Sequence, residues 1–355
     1  MTILLWAALA WADDDAEFLR WQGRIDPLPL PAEQPASEYR FTWDLFGQIA
    51  EKVKQKPGVV DTEQIGTTLE GKPIWAFHIE DPARPPERSV LVFAGIHALE
   101  WISTEVATDL LIYLVDHPVP NVRITVIPLL NPDGRRKVEE DLSNGVDAYR
   151  RGNSKNVDLN RDFAVNTDAK AIWKYLLPSR YAHSETPLSQ PESQALDQLA
   201  ARELYDRAAS LHAFGGFLYY PWSGHYSTPP DRQDFVQLGL AMEQAQGPRA
   251  YRTRQLARWG FFFRAHGTEL DHLYGKYGTR SFLVEMTRSG LNFSRPSEWK
   301  WNFRLYNPKD PEVHIERGFR AMRALILEPP TPGELEHPAG TQRFIHGVDY
   351  SRGVE

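Results

Sequence analysis

The chain has 355 residues, 42% of them apolar and 25% charged, with a formal net charge of -7 and no cysteine. That length can bury one large core, no repeat or low-complexity tract divides it, and the acidic balance leaves no basic footprint for nucleic acid or anionic lipid. Without cysteine, disulfides and thiolate metal ligands are excluded.

The first element is an apolar run, Thr2 to Ala12, ending in Ala10-Trp11-Ala12 ahead of three aspartates. Small residues in that arrangement have the pattern of a signal-peptidase site and predict export to a periplasmic or extracellular compartment. The run is short and has no basic flank, which leaves a cytoplasmic protein as the alternative. No other stretch is long and apolar enough to span a bilayer. Helical spacing of apolar residues follows over Tyr39 to Lys54.

Val90 to Phe93, ending in Ala94-Gly95, reads as a buried strand, and Trp101 to Val115 has helical spacing. His97 and Glu100 then fall on a strand-to-helix turn, where open α/β sheets place ligand sites. A neutral imidazole and a carboxylate can supply two of the three protein ligands of a catalytic Zn²⁺. The spacing H-x-x-E is common by chance, so the pair carries little by itself.

Val122 to Leu130 is strand-like and closes at Asn131-Pro132-Asp133-Gly134, a turn by its chemistry. Asp158, Asn160 and Arg161 cluster beyond it. An Asn beside an Arg can grip a carboxylate through charge-assisted hydrogen bonds, although a solvated charged loop is the plainer reading. After a helical stretch from Pro191 to Tyr205, the apolar run Tyr205 to Pro221 holds His212, the candidate third ligand. An isolated histidine, one of 11 here, is more often a satisfied core residue. Beyond a helical stretch over Asp234 to Gln246, Ser281 to Thr287 is a buried-strand pattern with a single carboxylate, Glu285. Burial raises a carboxyl pKa toward the range a general base needs; an edge strand with Glu285 facing water is the alternative. Pro311 to Leu327 is again helical, and the tail from Pro329 is rich in Pro and Gly. Strands alternating with helices predict an α/β fold, with a mixed central sheet flanked by helices on both faces.

The order His97, Glu100, Asp158, Asn160, Arg161, His212, Glu285, in the segments GIHALEWIS, NPDG, VDLNRDF, SLHAFGGFLYYPWSG and FLVEMT, resembles the zinc metallocarboxypeptidases of the carboxypeptidase A-like family over roughly Ser37 to Leu327. The resemblance implies one Zn²⁺ per chain, held by His97, Glu100 and His212. It implies Asp158 as the carboxylate orienting a ligand histidine, and Asn160 with Arg161 as the grip on the substrate's terminal carboxylate. Glu285 then matches the general base that takes a proton from the attacking water and passes it to the leaving amine. The oxyanion-stabilising arginine falls at Arg151 when counted back ten residues from Arg161, whereas alignment on a longer loop puts Asn153 there. Arg151 is preferred because a developing oxyanion requires a cation.

The implied activity is hydrolysis of the C-terminal bond of peptides with a free carboxylate. A deacylase or cell-wall peptide amidohydrolase of the same fold is the alternative. The implied organisation is a signal peptide over 1–12, an extension over 13–36, a carboxypeptidase-like catalytic domain over 37–328 and a C-terminal extension over 329–355. The 24 residues from 13 to 36 are too few for a folded inhibitory pro-segment, so no zymogen is expected. Two departures from the family stand out. The family's mobile tyrosine falls near Phe262 or Phe263, which have no hydroxyl. The residue lining the specificity pocket, just before Asp271, is Leu270, which favours an apolar terminal side chain; a one-residue shift puts Glu269 there and would favour Lys or Arg.

Overall fold

A computed structural model of the protein describes residues 14–28, 38–168, 186–260, 264–288 and 301–336. The expected signal peptide, Phe262, Phe263 and most of the C-terminal tail lie outside them. An eight-stranded sheet runs β1 (Val60–Thr67), β2 (Pro73–Ile79), β4 (Val122–Ile127), β3 (Arg88–Ala94), β5 (Arg207–Ala213), β8 (Arg280–Met286), β6 (Phe217–Tyr220), β7 (Arg252–Gln255). Its four central strands are mutually parallel, whereas β1 and β2 on one side and β6 on the other join it antiparallel. The sheet is therefore mixed, as the alternation of elements predicts.

Alternation along β3 shows why both faces must be covered. Val90, Val92 and Ala94 enter one apolar core with Val106 and Leu110 of the helix Trp101–Asp116 and Met322 of the helix Glu312–Leu327. Leu91 and Phe93 point the other way, into a second core with Leu196 and Leu199 of Pro191–Glu203 and Leu273 of Glu269–Tyr277. A strand buried on both faces loses the polar-out alternation of a half-exposed one, which is why it reads as a continuous apolar run.

Three local readings change. Asn131-Pro132-Asp133-Gly134 is the capped start of a helix, Pro132–Ser143: the Asn131 side chain accepts from Gly134 N at 2.9 Å and Pro132 occupies the first turn. The long run containing His212 is two strands, β5 and β6, reversing through Phe214-Gly215-Gly216. The start of the expected extension is a helix over 14–22, with Phe18 fully buried 5.1 Å from the Phe77 ring and 5.4 Å from Trp75. Burying such a side chain contributes about 1.5–3 kcal/mol. Asp15 adds hydrogen bonds from the backbone and hydroxyl of Thr62.

The other end is tied in as well. Arg207, buried at the start of β5, donates to both oxygens of Glu334 at 2.7 and 2.8 Å and to the carbonyls of Leu325, Glu328 and Pro329.

Candidate metal centre and cleft

Parallel strands β3, β5 and β8 lie side by side, and the candidate residues cluster at their C-terminal ends. Beyond β3 the chain turns at Gly95, whose φ of +66° favours glycine and whose Cβ position would lie 2.7 Å from the Leu129 side chain. That turn delivers His97, and Glu100 sits at the N-cap of the following helix. Asn131 pins it from below, donating to the carbonyls of Ile96 and Gly152. His212 comes from β5, directly opposite Glu285 on β8.

His97, Glu100 and His212 are buried and converge. His97 Nδ1 lies 3.0 Å from His212 Nδ1 and 2.9 Å from Glu100 Oε1, and His212 Nδ1 lies 3.2 Å from Glu100 Oε2. Ligands about 2.0–2.1 Å from a tetrahedral zinc are separated by edges of about 3.3 Å, close to these spacings. Two imidazole nitrogens facing each other across 3.0 Å also call for a cation or proton between them. The donor set thus fits Zn²⁺ in both dimension and type. Among the described residues no other cluster could hold a metal ion.

The far sides of both rings are held by carboxylates. His97 Nε2 meets Asp158 Oδ1 at 3.1 Å, and His212 Nε2 meets Glu269 Oε1 at 2.9 Å. Burial by itself would raise Asp158, but Arg151, then His97 and Arg161, outweigh it and hold the carboxyl well below the usual range. Burial likewise opposes charge on His212; hydrogen bonds to Glu100 and Glu269 reverse that and push it up to about 10. These are the electrostatics of anionic groups arranged around a cation. Glu285 differs, since burial and then the neighbouring Glu100 push it up to about 8, against the pull of His212 and Arg151. Among the described residues its Oε2 has no hydrogen-bond partner.

A cleft of about 560 Å³ opens on this cluster. His97, Arg151, Asn160, Arg161 and Glu285 line its polar part, and Phe217, Tyr219, Leu256 and Leu283 an apolar wall. Arg151 donates to Asp158 Oδ2 at 2.9 Å and to Glu100 Oε1 at 3.1 Å while its side chain stays 19% exposed. Asn153, the other alignment choice, points away and donates to Gln190 and Glu192. Asn160 also lines the cleft and accepts from Glu269 N through Oδ1 at 3.2 Å. Leu270 is buried behind the apolar wall, packed with Tyr219, Leu256 and Leu283, so it backs the pocket without lining it. Glu269 does not face the cleft either, being turned to His212. Sequence reasoning missed the cleft tyrosines Tyr149 and Tyr306, which no motif marks.

A two-nitrogen, one-oxygen cluster at the C-terminal edge of a mixed sheet, beside a raised carboxyl, is the constellation of a metal-dependent hydrolase fold. The chain belongs to the zinc carboxypeptidase family, whose profile matches residues 48–299, and zinc is that family's metal. It is 23% identical over 326 residues to human carboxypeptidase D, covering 81% of this chain and 22% of that protein. It is 22% identical over 312 residues to bovine carboxypeptidase O, covering 82% and 78% respectively. The fold is similar to that of a carboxypeptidase A from Helicoverpa armigera, with a TM-score of 0.62 and 21% identity over 81% of this chain and 74% of that one. It is also similar to bovine thrombin-activatable fibrinolysis inhibitor, with a TM-score of 0.64 and 19% identity over 81% and 96%. Among the described residues no helix is long and apolar enough to cross a membrane.

Proposed function

We propose that the protein is a zinc-dependent exopeptidase that removes residues from the free C-terminus of peptides. The observation that carries this reading is that a buried arginine beside an asparagine, a raised carboxyl and a ligand histidine all line one cleft. His97, Glu100 and His212 would hold the metal, which would supply a Lewis acid for the scissile carbonyl and lower the pKa of water.

Arg161 and the amide N–H groups of Asn160 bind the terminal carboxylate, which sets the register of the peptide in the cleft. The wall of Phe217, Tyr219, Leu256 and Leu283 receives an apolar terminal side chain. Glu285 accepts the proton of the attacking water and delivers it to the leaving amine. Arg151, anchored on two sides by Glu100 and Asp158, presents fixed positive charge to the developing oxyanion. The Ala10-Trp11-Ala12 pattern supports action outside the cytoplasm.

The test compares one peptide with a free and an amidated C-terminus, incubated with the zinc-loaded protein. Mass spectrometry should show single residues lost from the free form and far slower cleavage of the amide. Equal cleavage of the two, or internal cuts, would overturn the reading.

A further inference from the structure

Glu269 is a carboxylate with no place in the chemistry set out above, and it is fully buried. It opens the helix Glu269–Tyr277, where Thr268 caps the first turn by accepting from Asp271 N. Capping accounts for Thr268 and for an acidic residue in that turn, since negative charge is favoured at a helix N-terminus. It does not account for a side chain turned inward to a histidine. Oε1 lies 2.9 Å from His212 Nε2, and among the described residues Oε2 has no partner. A buried carboxylate with half its acceptors unused is costly unless its charge serves something nearby.

We propose that Glu269 is a positioning residue for the metal centre: it holds the Nε2 proton of His212, so that the Nδ1 lone pair is the one presented to zinc. This rests on the metal reading of His97, Glu100 and His212. Nε2 has a second neighbour, Ser210 Oγ at 2.7 Å. An ionised carboxylate is the stronger acceptor and adds charge that makes the imidazole a better donor to a cation. His97 is held by Asp158 in the same way, so each ligand ring has its own carboxylate. Glu269 also ties its backbone N–H to Asn160 Oδ1. One residue thereby joins the metal ligand to the group proposed to grip the substrate.

The test measures zinc dissociation constants by chelator competition for wild type, Glu269→Gln, Glu269→Ala and Ser210→Ala, with circular dichroism to verify the fold. Partners of this kind typically contribute 10- to 100-fold in metal affinity. Glu269→Ala should lose about that much, Glu269→Gln should fall between it and wild type because an amide oxygen still accepts, and Ser210→Ala should stay near wild type. In zinc-loaded, ¹⁵N-histidine-labelled protein the His212 Nε2–H signal should shift in Glu269→Gln, a response that general loosening of the fold would not produce selectively. If Glu269→Ala misfolds, the isosteric Gln variant decides. Wild-type zinc affinity in folded Glu269 variants, or an unmoved Nε2–H signal, would overturn the proposal while leaving the metal centre standing. A wild-type protein that binds no zinc would instead remove the metal reading and this proposal together.

Discussion

A Cβ built on Gly215 would lie 2.9 Å from the Cβ of Glu285 and 3.4 Å from its Cγ. The link between β5 and β6 therefore lies flat against the stem of this carboxylate, and Gly216 N donates to Glu285 O at 2.8 Å. Gly215→Ala should displace the carboxyl without touching the metal ligands. A misplacement of about 1 Å can cost on the order of 100-fold in rate, so kcat should fall steeply at unchanged zinc content. Undiminished turnover in the variant would show that the position of Glu285 is not critical.

Glu285→Gln should keep the fold and the zinc but lose turnover, because an amide cannot accept the proton of water. General-base contributions are typically about 10²- to 10⁴-fold. A metal-replete variant with near wild-type kcat would eliminate Glu285 as the base.

His212→Ala removes one of three converging donors. Elemental analysis after dialysis should find the variant well short of one zinc per chain, whereas wild type retains it. A full, tightly held equivalent in the variant would contradict the assignment.

Arg161→Ala should narrow the gap between free and amidated peptides. In the intact protein, amidation leaves a buried guanidinium facing a neutral group, at a cost of roughly 1–3 kcal/mol in kcat/KM. The variant has no such penalty to lose. If discrimination persists in it undiminished, the carboxylate is read elsewhere.

Stability should depend on pH through Glu192. Burial, with Asp133 and Asp162 nearby, pushes this carboxyl up to about 7 from an ordinary 4.5. A raised carboxyl binds its proton more tightly in the folded state. Its contribution is therefore complete below pH 4.5 and is lost as pH rises through 7, by up to about 3 kcal/mol. Urea unfolding at pH 5 and pH 8 should show a larger fall for wild type than for Glu192→Gln. Parallel falls would discount the effect.

The parts of the centre that lie close together in sequence were legible only through the order of the motifs and the family that order resembles, since an H-x-x-E spacing or a charged loop carries little alone. His97 and Glu100 share one turn, and Asp158, Asn160 and Arg161 share another. The contact of Glu269 with His212 was not legible, since the sequence offered Glu269 only as an alternative pocket residue and its partner is 57 residues away. Asn131-Pro132-Asp133-Gly134 misled for another reason: Asn and Pro favour turns and helix starts alike, and only the residues that follow choose between them. The helix over 14–22 is too short for its periodicity to stand out, although Phe18 and Trp21 anchor it on the core.

The proposed ligands His97 and His212 lie 115 residues apart and meet only because β3 and β5 pair in parallel. A metal ion offered to the unfolded chain can find His97 with Glu100, but not the third donor. Parallel pairing over such a separation is slow to form, so the three donors come together late in folding. Zinc held there would stabilise chains whose central strands are already in register, because the complete site does not exist earlier. Metal uptake during refolding should therefore trail sheet formation, which makes zinc a reporter of the last stage of assembly.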